Sequence, residues 1–172
     1  NGFENDISLM TLAPELKGSF EVISRLKELT IVVSLGHSSA DFKSAMKAFN
    51  NGVRMVTHTF NAMKGLHHRA IGPIGAAISR DDIFLGLIAD GIHVNSDMIR
   101  LLKIIAPKQI VLVSDAISAY GLGDGLFKWH NRLITVEKGL CRLSNQTIAG
   151  STFPLLEACK KIAKWVEDPF AA

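Results

Sequence analysis

The chain has 172 residues, 48% of them hydrophobic, with a mean hydropathy of +0.24, a formal net charge of +3 and a pI near 9.0. That length suffices for one domain that hides roughly two-thirds of its unfolded surface, and no apolar run approaches the roughly 20 residues that a membrane span needs. Lys and Arg are scattered, without the dense basic stripe interleaved with aromatics that nucleic-acid binders carry, so the charge implies only a mild preference for anionic small molecules.

Short β-type runs alternate with helical periods, the pattern of βαβ units and a parallel sheet. Ile7, Leu9, Met10 and Leu12 predict a strand ending at Pro14 and Glu15, and Val22, Leu26 and Leu29 mark the helix after it. The run Ile31 to Leu35 reads as a buried strand with Gly36-His37-Ser38 as its exit and Ser39 as N-cap of the next helix. That helix carries Phe42, Ala45, Met46 and Phe49 on one face, and Gly52 stops it. A third strand, Arg54 to Thr57, runs into His58. A long loop follows, holding Gly65, His67, His68, Arg69, Gly72, Pro73 and Gly75, of the kind that usually works at a site. The fourth strand, Ile83 to Ile88, exits at Asp90-Gly91-Ile92-His93, and a helix with Ile99, Leu102 and Ile105 stops before Pro107. The fifth strand, Gln109 to Val113, exits at Ser114-Asp115. Residues 117 to 125 read as loop, and 126 to 148 as short antiparallel strands including Arg132 to Val136 and Gly139 to Leu143. Gly150-Ser151-Thr152 then leads into a helix with Pro154 in its first turn and a buried stripe of Leu155, Cys159, Ile162 and Val166.

Successive strands thus end in a residue able to bind metal or move protons: Glu15, His37, His58, His93 and Asp115. In a (β/α)₈ barrel such strand ends converge on one face. Neutral imidazoles suit zinc and similar ions, and a carboxylate nearby can take a proton from an activated water. Each residue alone has a plainer reading. A lone histidine after a strand is a hydrogen-bonded loop residue, Asp115 can cap a turn, and Glu15 can be a first-turn helix charge. His67 and His68 belong to a polar, solvated loop, and His130 has no partner in the pattern. Cys141 and Cys159 form neither a disulfide framework nor a C-x-x-C pair, which fits a reducing cytoplasm. Asn1 to Asp6 is polar and acidic, unlike a secretory signal, and the missing initial Met gives the expectation of sequence upstream.

The segments Thr11-Leu12-Ala13-Pro14-Glu15, Ser34-Leu35-Gly36-His37-Ser38, Thr57-His58-Thr59-Phe60-Asn61-Ala62-Met63, Ala89-Asp90-Gly91-Ile92-His93 and Val113-Ser114-Asp115-Ala116 come in an order and spacing that resembles N-acetylglucosamine-6-phosphate deacetylases of the amidohydrolase superfamily. The resemblance implies an α/β, TIM-like (β/α)₈ metal-dependent hydrolase barrel. Residues 1–172 would be a partial catalytic domain holding strands four to eight, with an antiparallel insertion near 126–148 and with the upstream strands and the C-terminal end missing. It implies hydrolysis of N-acetylglucosamine 6-phosphate to glucosamine 6-phosphate and acetate, in amino-sugar metabolism in the cytoplasm.

By position in those motifs, His37 and His58 match metal ligands and Asp115 the acid–base group. Asn61 and Ala62 match positions that touch the sugar phosphate, Arg69 and His93 positions that hold its phosphate, and Ile148-Ala149-Gly150-Ser151 a small substrate-facing loop. The cofactor implied is one divalent ion or two, with zinc first and iron, cobalt, nickel or manganese as alternatives. Family enzymes supply the phosphate-binding arginine across a homodimer interface, which Arg69 fits. The sequence departs from the family in lacking the H-L-E-G-P segment that carries a third ligand, a glutamate, and in having Ala149 where a serine is usual. Two other readings stay open: an amidohydrolase for another N-acyl sugar or a cyclic amide, and an inactive fragment that binds sugar phosphate.

Overall fold

The structure is a computed structural model that describes residues 4–166. Two compact units are present, one formed by residues up to Leu87 with Ile104–Val111, the other by Ile88–Lys103 with the residues from Leu112 on.

In the first unit a 3-10 turn at Glu4–Asp6 precedes β1 (Leu9–Leu12), α1 (Ser19–Glu28), β2 (Val32–Leu35), α2 (Phe42–Asn51), β3 (Val53–Val56), α3 (Gly72–Ile78) and β4 (Phe84–Leu87). Strands β1 to β4 pair in parallel in sequence order, and β5 (Ile110–Leu112) lies beside β4 to complete a five-stranded sheet. A parallel pair needs a crossover rather than a hairpin, and helices supply it here. Because side chains alternate along a strand, the register sorts them onto two faces. Val33, Leu35, Val56, Leu85 and Leu87 are at most 1% exposed and form a core with Ile23, Ala45, Phe49 and Ile74 of the helices. On the opposite face Leu9 pairs with Val32, and Ser34, Met55 and Phe84 follow one another across the sheet. Leu9, Val32 and Phe84 remain 42–50% exposed there, so an apolar face stands open.

Several helix details differ from the sequence expectations. The N-cap of α2 is Asp41, whose carboxylate accepts from the Ser44 amide at 2.8 Å; Ser39 is instead bonded to Glu15. Helix α1 buries Ile23 and Leu26 while Val22 is 45% exposed, because its apolar stripe lies one residue round from the expected one. The largest departure is α3, expected as loop. It is entered through Pro73, where a missing amide costs nothing, and six of its seven residues are buried, so no polar face marks it in the sequence. Gly75 belongs there because a Cβ would sit 2.6 Å from the Ile71 Cβ.

The second unit contains most of α4 (Ser96–Ile105), which buries Ile99 and Leu102, followed by β6 (Gly125–Trp129), β7 (Arg132–Glu137), β8 (Leu140–Leu143), β9 (Ile148–Ser151) and α5 (Leu155–Trp165). The four strands form an antiparallel meander in sequence order, with Ile134, Val136, Cys141 and Ala119 as a small core. Ile148–Ser151 is therefore the last strand of this sheet and not a loop, since Leu140 and Arg142 of β8 supply its partners. In α5 the buried residues are Ala158 and Ile162, Leu155 is 42% exposed, and Pro154 is the extended residue just before the helix. Arg100 Nε donates to the Trp165 carbonyl at 2.6 Å and ties α4 to α5.

Candidate active site

In the first unit His37 and His58 follow β2 and β3, neighbours in the sheet, so their side chains leave adjacent strand ends. Their Nε2 atoms lie 2.9 Å apart and the rings meet edge to face at 79°. Both backbones are left-handed, with φ of 46° at His37 and 31° at His58, a region that L residues enter at a cost and keep only when neighbours over-determine it. Those neighbours are visible. Thr59 N donates to the Gly86 carbonyl at 2.7 Å, Asn61 N to the His58 carbonyl at 2.9 Å, and Ser38 N to the Ala62 carbonyl at 3.1 Å. Gly36 is required beside His37, since a Cβ would lie 2.7 Å from Thr11 Cγ2 and 2.8 Å from Thr57 Cβ.

Two nitrogens bound to one zinc ion at about 2.0–2.1 Å would stand about 3.3 Å apart in tetrahedral geometry, so the pair needs to open by only a few tenths of an ångström to hold such an ion. Among the described residues no group of three or more His, Cys, Asp or Glu side chains is gathered as a metal site, and the pair supplies two ligands.

Asn61 and Ala62 lie in the turn after His58, where the Asn61 side-chain amide donates to the His58 and Thr59 carbonyls at 3.3 Å and Ala62 has a φ of 50°. Ala62, Met63 and Lys64 join His37, Ser38 and Ser39 in lining an open depression of about 390 Å³. Lys64 is a cation on this rim that sequence reasoning missed. Arg69 is exposed, with its guanidinium 2.6 Å from His68 Nε2, and His68 is exposed as expected. Glu15 reaches the loop that carries His37. One carboxylate oxygen accepts from Ser38 Oγ at 2.6 Å, and the other accepts from Ser39 N at 2.6 Å and Ser39 Oγ at 3.1 Å. Partial burial pushes this carboxyl up, but those bonds outweigh it and hold it below the usual range.

In the second unit His93 Nδ1 shares a proton with Asp90 Oδ2 at 2.6 Å, both side chains being at most 3% exposed. Asp90 Oδ1 also accepts from the Ile92 and His93 amides at 2.8 and 2.9 Å. Burial pushes the Asp90 carboxyl up, and the bonds from His93, Ile92 N and His93 N more than reverse this and keep it ionised. His93 Nε2 is buried and has no hydrogen-bond partner among the described residues. Sequence reasoning picked out His93 and missed Asp90 as its partner; the i, i+3 spacing of the two is the signal that could have found it.

Asp115 follows β5 with a φ of 50°, on left-handed backbone like His37, His58 and Ala62. Its loop is stitched to β9: Ser151 N donates to the Asp115 carbonyl at 2.9 Å, Ser151 Oγ to the Ser114 carbonyl at 2.6 Å, and Ile117 N to the Ser151 carbonyl at 3.0 Å. Of the expected substrate-facing residues, Ile148 and Ala149 lie half-buried on β9, and Ser151 is fully buried with its hydroxyl spent on this stitch. Gly150 has a φ of 75°, and a Cβ there would lie 2.7 Å from Ile117 Cγ2 and 2.9 Å from the Asp115 carbonyl. The Cys141 thiol is pushed up by burial and then by the Asp115 charge.

Parallel β/α units that carry histidines at consecutive strand ends, followed by an antiparallel sheet, define a portion of a β/α-barrel enzyme fold. No family model matches the chain. Known proteins do. The chain is 42% identical over 161 residues to the N-acetylglucosamine-6-phosphate deacetylase of Bos taurus, covering 90% of this chain and 39% of the bovine protein. It is 34% identical over 161 residues to the N-acetylgalactosamine-6-phosphate deacetylase of Escherichia coli O157:H7, covering 94% of this chain and 43% of that one. The crystal structure of N-acetylglucosamine-6-phosphate deacetylase from Thermotoga maritima superposes with a TM-score of 0.90 at 40% identity, over 96% of this chain and 46% of that one. The chain matches part of the catalytic barrel of N-acetylglucosamine-6-phosphate deacetylases and spans about two-fifths of the length of these curated relatives.

Proposed function

We propose that the protein bearing this chain hydrolyses the acetamide of N-acetylglucosamine 6-phosphate to glucosamine 6-phosphate and acetate, as part of amino-sugar catabolism or recycling. The observation that carries this reading is the pair of imidazole nitrogens 2.9 Å apart at adjacent strand ends, both on strained backbone. His37 and His58 are the residues that would hold a divalent ion, with zinc favoured by the two nitrogen donors. Such an ion supplies Lewis-acid polarisation of the acetamide carbonyl and makes a water more acidic.

Asp115 then takes the proton of the attacking water as its oxygen bonds to the carbonyl carbon. It returns that proton to the nitrogen as the C–N bond breaks, which releases the amine and acetate. Asn61 and Ala62 line the substrate beside His58, and Ile148, Ala149, Gly150 and Ser151 border it next to Asp115, with Ser151 and the Cβ-free Gly150 holding that strand tightly against the Asp115 loop. Arg69 and His93 bind the 6-phosphate, one as a permanent cation and the other through the nitrogen that Asp90 leaves open. The exposed Arg69 serves a second copy in a homodimer.

A second reading has one specific support: the N-acetylgalactosamine-6-phosphate deacetylase matches at the same level of identity as the Vibrio furnissii N-acetylglucosamine-6-phosphate deacetylase, 34% each. The two substrates differ only at C4, remote from the reacting bond. Acetate release from both 6-phosphates and from unphosphorylated N-acetylglucosamine tests both readings. The first expects kcat/KM to be highest for the gluco 6-phosphate and to collapse without the phosphate. Preference for the galacto epimer supports the second reading, and no acetate from either phosphate refutes both.

A further inference from the structure

We infer that Glu15 is the positioning residue for His37, acting through the backbone of the loop between β2 and α2 and not as a ligand; the inference rests on the proposed metal role of His37 and His58. Three observations meet here. His37 occupies a left-handed conformation that a β/α loop does not hold unaided. The two residues after it are gripped from one side by Glu15, through Ser38 Oγ, Ser39 N and Ser39 Oγ, and from the other by the His58 turn, through Ser38 N to the Ala62 carbonyl and the bridge between Ser38 and Met63. Ser38 Oγ closes the loop on itself by accepting from Ala40 N at 3.0 Å. Both oxygens of Glu15 are therefore committed to the loop, and no third metal-binding side chain joins the histidine pair among the described residues. Glu15 enters from the end of β1, so this carboxylate fixes the strand end of β2 against that of β1, while Ala62 fixes it against β3.

Charge at a carboxylate is not what the loop needs; two bonding positions are. Glutamine keeps a bond to each serine, since its oxygen can accept from Ser39 N and its amide can donate to Ser38 Oγ. Alanine keeps none. Outer partners that orient a metal ligand typically carry about 10–100-fold in metal affinity.

The test uses the 172-residue chain with Co(II) alone, read by the imidazole–cobalt absorption, alongside hydrogen exchange of the Ser39 amide without metal. Wild type should bind Co(II), and His37→Ala and His58→Ala should lose the band. Glu15→Ala should weaken binding by about 10-fold or more and speed Ser39 exchange by a similar factor, while Glu15→Gln stays within about 3-fold of wild type in both. If Glu15→Ala does not fold, Ser38→Ala, which removes one of the three bonds, should move both readouts by about 3-fold. Equal losses in Gln and Ala would make Glu15 a ligand and overturn the inference, as would a Glu15→Ala variant matching wild type in either readout. Co(II) binding that survives both histidine substitutions would refute the metal reading itself and take this inference with it.

Discussion

Replacing Gly150 with alanine should destabilise the second unit by an amount that separates two physical causes. The residue has a φ of 75°, where any L side chain costs about 1–2 kcal/mol, and its Cβ would also lie 2.7 Å from Ile117 Cγ2 and 2.9 Å from the Asp115 carbonyl. The methyl of Ile117 can move, but the carbonyl belongs to backbone that Ser151 N already bonds at 2.9 Å, so the overlap adds about 1–3 kcal/mol in the manner of an overpacked core. The expected total is ~3 kcal/mol, or a fall in Tm of roughly 6–12 °C at this chain length. Gly123 provides the control: it has a φ of 81° and open space within 4 Å of where a Cβ would stand, so its alanine variant should lose only the backbone cost of about 1 kcal/mol. Trp129 and Trp165, the two tryptophans of the chain, both lie in the second unit, so their fluorescence during urea unfolding follows that unit specifically. Gly150→Ala within about 0.5 kcal/mol of Gly123→Ala would refute the argument that Gly150 is kept for close approach to the Asp115 loop.

Other consequences follow from single residues. Phe49 is fully buried in the core under the parallel sheet, and Phe49→Ala should cost about 3–5 kcal/mol in the first unit, measured by urea unfolding followed by far-UV circular dichroism. The Asp90 carboxyl is held below its ordinary range in the folded chain, so its stabilisation is fully present above about pH 4 and is lost as pH falls through the depressed folded value. Asp90→Asn should therefore unfold more readily at pH 7 and show a flatter acid limb than wild type; parallel acid limbs would contradict the account of the Asp90–His93 dyad.

Much of the fold is legible in the sequence because parallel strands buried by helices appear as compact apolar runs, as at Ile31 to Leu35 and Ile83 to Ile88, with polar residues at their ends. Helix α3 is not legible for the converse reason: a buried seven-residue helix of Gly, Pro, Ile and Ala has neither a polar face nor enough length to show a period. The small shifts in α1 and α5 arise because a stripe of apolar residues leaves a rotation of one position undetermined, and only packing decides between Val22 and Ile23. Ile148–Ser151 looks like a loop because Gly150 is a turn former, whereas pairing with β8 makes it a strand.

The candidate site divides in the same way. His37, His58 and Asp115 stand out by residue type and place, but their shared left-handed backbone is invisible in sequence, since none is a glycine that would advertise it. Glu15 is visible as a strand-end carboxylate, yet its hold on Ser38 and Ser39 depends on two loops more than twenty residues apart meeting across β1 and β2. Asp90 hides inside a segment whose histidine draws attention first, and its three bonds emerge only once the turn is built.

The most direct measurement is acetate release from N-acetylglucosamine 6-phosphate by wild-type protein and by Asp115→Asn, with metal content determined on the same samples. The asparagine keeps the shape of the side chain and removes its capacity to carry the proton, so turnover should fall by about 10²–10⁴-fold while bound metal is unchanged. Wild-type turnover in Asp115→Asn would contradict the acid–base role on which the proposed deacetylation rests.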